Sequence, residues 1–151
     1  MSIINTKKLH HSGVLTMLSA AVAKADEMKV PQCIVIVDVS GEVLGEIRMT
    51  NAKFLSLKSA LSKARSAASS GKVSNLLPHE LRQPLAFATQ GAVTGMPGGL
   101  PILIEENGIT YNLGGIGVGS GTGDDDIQVA NAALEIIGAK TFALSEVGGE
   151  P

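Results

Sequence analysis

Apolar residues along this chain recur with two alternating periods, one helical and one of two residues. Val14, Leu15, Leu18, Val22 and Ala25 stand at helical spacing, which predicts a helix capped by Asn5 and stopped before Pro31. Gly13 weakens its first turns by about 1 kcal/mol relative to alanine. "QCIVIVDV" is then apolar and β-branched, Ser40-Gly41 is turn chemistry, and "EVLGEIRM" resumes as a strand, so a β-hairpin is predicted. From Asn51 the period is helical again, with Leu57, Ala60, Leu61, Ala64, Ala67 and Ala68 on one face and Gly71 placed to end the helix. Residues 72–100 are less regular, with a short helix near "HELRQPLAFATQ" and the turn-rich "GMPGGLP". "PILIEE", Asn107-Gly108 and "ITYNLGGIGV" form a second hairpin, since Asn-Gly supplies the positive φ values of a type I′ turn. Asp124, Asp125 and Asp126 open a last helix with Ile127, Ala130, Leu134 and Ile137 on its buried stripe and Gly138 at its end. From about residue 139 the tail is expected to fray.

This order contains no regular βαβ alternation and predicts an α+β fold, an antiparallel sheet with packed helices. At 151 residues the chain suits one domain spanning 1–151. Charged residues make up 17% of it, against about 25% in an average domain, so a homo-oligomer that covers part of the surface with identical subunits is expected. Net charge is −2 with dispersed basic residues, which gives no electrostatic footprint for nucleic acid or anionic lipid. No membrane span is expected, because no window approaches 18 uninterrupted apolar residues. The N-terminus lacks the apolar core of a secretory signal, and with the single cysteine, Cys33, this points to the cytoplasm.

The stretch "GGIGVGSGTGDDD" invites a phosphate-loop reading that its spacing refuses. Counting from Gly115, Gly117 or Gly119, the sixth position of G-x-G-x-x-G is Ser120, Thr122 or Asp124, and no Gly-Lys-Ser/Thr follows. The aspartates also occupy the helix N-terminus where a phosphate would sit. Either these glycines allow close packing on the alanine helix, or they wall a pocket facing a flat ligand or a neighbouring subunit.

Other candidate chemistry is sparse. "HELRQ" from His79 falls short of a zinc-protease helix because Gln83 stands where histidine is required, and "GSG" at 119–121 lacks the spacers of a hydrolase elbow. No metal site and no catalytic residue are assigned. Cys33, in an apolar strand without a neighbouring positive charge, is read as core packing. Asp38 helps form the Ser40-Gly41 turn. Arg48 ends a strand beside the glycine-rich region, where it either clamps a carboxylate or pairs structurally with Asp38 or Asp126.

"CIVIVDVSGEVLGEIRM", the helix containing "SKARSAA" and "GGLPILIEENGITYNLGGIGVGSGTGDDDIQVANAAL" together resemble the GlcG/HbpS-like heme-binding family, from about Leu15 to Gly138. Its members include glycolate-operon accessory proteins, a secreted heme sensor and the C-terminal domain of a diol-utilisation cobalamin adenosyltransferase. The resemblance implies a profilin-like fold, homo-oligomers and an association with heme or a corrinoid. It also implies an axial histidine from the first helix, here His10 or His11, with His11 four residues before Leu15 on the apolar stripe; the residues read by themselves fit equally a partly exposed histidine pair near a helix start. Arg48 would hold a propionate, and Gly98, Gly99, Gly115 and Gly117 would lie in the pocket walls at 98–101 and 115–121. Two function classes follow, beside a third reading as a structural assembly partner with an empty pocket, which the low charge content also fits. The first is a non-catalytic accessory protein that binds a small molecule, heme or a related tetrapyrrole, in small-alcohol or glycolate metabolism. The second is a small acid/base enzyme on a carboxylated metabolite of an aromatic or carbonyl pathway, with His79, Glu80 or Asp38 as base and Arg48 on the carboxylate.

Overall fold

The computed structural model describes residues 1–144. The elements in chain order are α1 (His11–Met28), β1 (Cys33–Val37), β2 (Val43–Arg48), α2 (Leu55–Ser70), α3 (His79–Ala88), β3 (Gly99–Glu106), β4 (Ile109–Gly119) and α4 (Gly123–Ile136), with a 3-10 turn at Ser74–Leu76. The strands form one antiparallel sheet in the order β2-β1-β4-β3, the α+β class that the sequence predicts. Ile34, Ile36, Leu100, Ile102, Ile116 and Val118 supply one face of the sheet, under α1 and α4. Cys33, Val35 and Val37 supply the other, against Ala60, Ala64 and Ala68 of α2.

The glycine-rich strand obeys the same period of two. Ile116 and Val118 enter the α1/α4 core while Gly115 and Gly117 turn to α2. A Cβ on Gly117 would run into the Ala60 carbonyl oxygen and the Ala64 nitrogen, and one on Gly115 into the Ala64 carbonyl oxygen. Small residues on both surfaces thus let the α2 backbone rest on the sheet backbone. At the β3–β4 tip Asn107 and Gly108 take φ values of 52° and 77°, as a type I′ turn requires. Asp38 shapes the β1–β2 turn as expected, its Oδ1 accepting from the Ser40 and Glu42 amides at 2.8 and 3.1 Å.

Three expectations need correction. Asn5 caps nothing: α1 begins at His11, and His10 caps it by accepting the Ser12 amide on Nδ1 at 3.1 Å. Its buried stripe is Val14, Met17, Ala21 and Ala25, and Leu15, about 100° round the helix from Val14, is 64% exposed together with His11. At α4 the aspartate run opens the helix as expected, but the N-cap position falls to Thr122 and only Asp125 takes part in the cap. The Thr122 hydroxyl accepts from the Asp125 amide and the Asp125 carboxylate accepts from the Thr122 amide, both at 3.1 Å, a reciprocal capping box. Thr122→Ala is therefore expected to cost about 1 kcal/mol, measured by chemical denaturation against wild type. Nor does the chain fray at 139. Ala139 and Phe142 are buried, and the Asn131 side chain holds the Phe142 carbonyl and amide at 2.6 and 2.9 Å. The rest of the tail, 145–151, lies outside the described residues.

Candidate functional site

His10 and His11 stand at the N-terminus of α1 with ring centroids 4.0 Å apart, both exposed. His10 is committed to its cap. An imidazole that accepts an amide proton on Nδ1 carries its own proton on Nε2 when neutral, the wrong tautomer for giving Nε2 to a metal. Among the described residues His11 makes no hydrogen bond. One turn further along its side of the helix lies a shallow apolar groove between α1 and α4, lined by Leu15, Thr16, Ser19, Ala20 and Ile136.

Arg48 does not join this pair. It is opposite Cys33, whose side chain faces α2, so Arg48 lies on the α2 side of the sheet, whereas the histidines begin the helix that covers the other side. β1 also separates Arg48 from β4, so it is not beside the glycine-rich strand. Its proposed ion-pair partners are engaged elsewhere, Asp38 in its turn and Asp126 with Lys63. Its charge does reach Cys33, contrary to the sequence reading, but burial outweighs it and pushes the thiol pKa up. Cys33 is fully buried in the core, its thiol 3.4 Å from the Lys53 carbonyl. His79, Glu80 and Arg48 form no hydrogen bond or ion pair among the described residues, so no acid/base constellation assembles around them.

The glycines called as pocket walls converge on something the sequence reading missed. Lys63 Nζ pairs with Asp126 Oδ2 at 3.0 Å and donates to the Val118 carbonyl at 2.8 Å, with the two side chains only 6% and 3% exposed. Asp126 Oδ1 accepts the Gly121 amide at 3.2 Å. Burial raises the Asp126 pKa, opposed by the Lys63 charge, by its hydrogen bond and by that amide. Gly98 lies directly on the pair, for a Cβ there would stand 2.7 Å from the Val118 oxygen and 3.1 Å from Lys63 Nζ, and a Cβ on Gly99 would strike the Lys63 carbonyl. Gly98, Gly99, Gly115 and Gly117 are thus the seat of α2 and of its one buried cation among the described residues. The signal was present: Lys63 is three residues after Ala60 on an alanine face, where a lysine needs a partner.

A more enclosed cavity of about 460 Å³ lies between the end of α2, the 3-10 turn and α3, with Val73, Leu77, Leu85 and Val93 among its apolar lining and Lys72 at its edge. It contains no histidine, cysteine, methionine or tyrosine.

A family model described as haem degrading protein HbpS-like matches residues 9–135. The chain belongs to the HbpS-like family. Corrinoid adenosyltransferase PduO of Citrobacter freundii is 32% identical to it over 127 residues, 81% of this chain and 37% of PduO. This HbpS-like chain therefore spans little more than a third of that relative's length. Klebsiella pneumoniae protein ORFY superposes with a TM-score of 0.81 at 27% identity, covering 93% of this chain and 97% of ORFY. A PduOC–heme complex gives 0.78 at 27% identity, over 91% of this chain and all of that one. HbpS of Streptomyces reticuli, as a double mutant, gives 0.75 at 26% identity, over 89% and 90%. The three similarities cover nearly the whole chain and agree on its fold. No helix among the described residues of this HbpS-like chain is long and apolar enough to cross a membrane.

Proposed function

We propose that this chain is a cytoplasmic accessory protein that binds heme or a related tetrapyrrole, works as an assembly of identical subunits, and serves small-alcohol or glycolate metabolism. The observation that carries the reading is the uncommitted imidazole of His11, one turn from the apolar Leu15–Ile136 groove. The heme complex of a structural relative and the family's description support the ligand. Heme, when bound, supplies a redox-active iron and a flat apolar ring. His11 would hold it through a ring nitrogen, and Leu15 and Ile136 would supply apolar contact. His10 fixes the start of the helix and the position of its neighbour. Arg48 of the same subunit lies on the α2 side of the sheet, away from the α1/α4 groove. Binding is the step that heme sensing, carriage and breakdown have in common, and the proposal commits to that step.

The test is an absorbance titration of the purified protein with hemin. A saturable Soret band is expected in wild type and in His10→Ala, and its loss or displacement in His11→Ala. A wild-type spectrum identical to that of free hemin at stoichiometric concentration would remove heme from the reading. The acid/base alternative has no comparable support, because the Asp38 carboxylate is occupied by its turn and the remaining residues do not meet.

A further inference from the structure

β2 is an edge strand, and nothing among the described residues pairs with its outer side. Val43, Leu44 and Ile47 on it are 42%, 40% and 38% exposed. Among the described residues the Glu46 and Arg48 side chains are exposed and form neither hydrogen bond nor ion pair. An edge with exposed aliphatic residues and without proline or lysine is a template for another strand. The ladder to β1 fixes which backbone groups are available. The Met49 amide donates to the Gln32 carbonyl at 3.0 Å, and Ile34 faces Ile47 while Ile36 faces Gly45, so Gly45, Ile47 and Met49 turn their amides inward. Glu46 and Arg48 consequently turn theirs outward.

We propose that β2 pairs antiparallel with β2 of a second copy of this chain, about a two-fold axis at Ile47. Glu46 of each copy then stands opposite Arg48 of the partner subunit, and the two residues exchange their outward amides and carbonyls. The two Ile47 side chains meet at the intervening pair, where strands approach most closely. Residues facing each other across such a ladder share a sheet face, which restricts the register to steps of two. The neighbouring registers place Glu46 opposite Glu46 or Arg48 opposite Arg48, so charge selects this one. The bulge opposite Ile36 and Val37 bends β2 at Leu44 and confines the ladder to Gly45–Met49. The contact is isologous, as a two-fold dimer requires, and it joins two sheets into one of eight strands.

This interface rests on the assembly part of the reading above, and its test separates the two. Glu46→Arg, Arg48→Glu and the double variant E46R/R48E are compared with wild type by sedimentation velocity across concentration. Each single change sets like charges opposite one another twice and is expected to weaken the dimer about tenfold, while the double variant restores it. Ile47→Cys is expected to give a disulfide-linked dimer under mild oxidation, since the one native cysteine is buried. A chain that is oligomeric but insensitive to the single changes and not cross-linked at position 47 overturns this interface and leaves the assembly intact. A wild type that stays monomeric at all concentrations overturns both.

Discussion

A Lys63→Met variant is expected to lose about 3–5 kcal/mol of stability at neutral pH, because it strips the counter-charge from a carboxylate that is almost wholly buried. It also removes the donor to the Val118 carbonyl, which lies against Gly98 beneath α2. The pH dependence has a sign opposite to that of an ordinary salt-bridged carboxylate. Burial raises the Asp126 pKa above 3.8, so between that value and its native value the folded protein binds a proton that the unfolded chain has released. Stability from this group is therefore present at low pH and is lost as pH rises through the native pKa. With Lys63 gone, the native pKa rises further and the cost of ionisation is no longer offset. The deficit of Lys63→Met should accordingly be largest near pH 7 and shrink toward pH 4, as read by urea denaturation at both values. Lys63→Met with Asp126→Leu should recover most of the loss, since a packed apolar pair needs no counter-charge. A deficit independent of pH, or a double variant no better than the single, would mean that Lys63 acts through its packing and not through Asp126.

The elements that the sequence showed clearly are those whose pattern depends only on local chemistry. Asn107-Gly108 dictates its turn, Gly71 ends α2, and β-branched runs mark β1 and β3 wherever they lie in the fold. The boundaries that moved depend on competition among similar residues. Asn5, His10 and Ser12 all have capping side chains, and the choice fell to His10 because Leu9 packs on the core and fixes where the chain turns into α1. The α4 cap moved for a related reason. The Asp126 carboxylate is shared between the Gly121 amide and Lys63, and the second contact spans 63 positions, which no local window contains. The candidate site was legible only in part. The histidines were visible as residue types, but which of them is uncommitted depends on the Ser12 amide, and the separation of Arg48 from both depends on the sheet face to which its pairing with Cys33 turns it. The glycines were visible as a pattern with two meanings, and the register of β4 against α2 gives them the packing one.

That packing meaning makes a second strong prediction: Gly117→Ala should cost at least about 3 kcal/mol, or prevent folding, although alanine suits an extended strand. The obstacle is backbone on both sides. The new methyl group would overlap the Ala60 carbonyl oxygen and crowd the Ala64 nitrogen, and neither can rotate away as a side chain would. Relief requires lifting α2 as a body, which would also open the contacts of Ala60, Ala64 and Ala68 with Cys33, Val35 and Val37 and pull Lys63 from Asp126. Ala60→Gly should therefore give no rescue, since it removes a methyl group and leaves the carbonyl in place. Gly45→Ala provides the contrast. Its Cβ would stand 2.8 Å from Val14 Cγ1 and 3.0 Å from Leu18 Cδ1, both ends of side chains that can shift. It should cost about 1 kcal/mol, the low end of overpacking. Thermal unfolding of the two variants side by side reads the difference. Equal shifts would show that α2 yields as readily as a leucine rotamer, and that the glycine strand does not define how closely the helix sits.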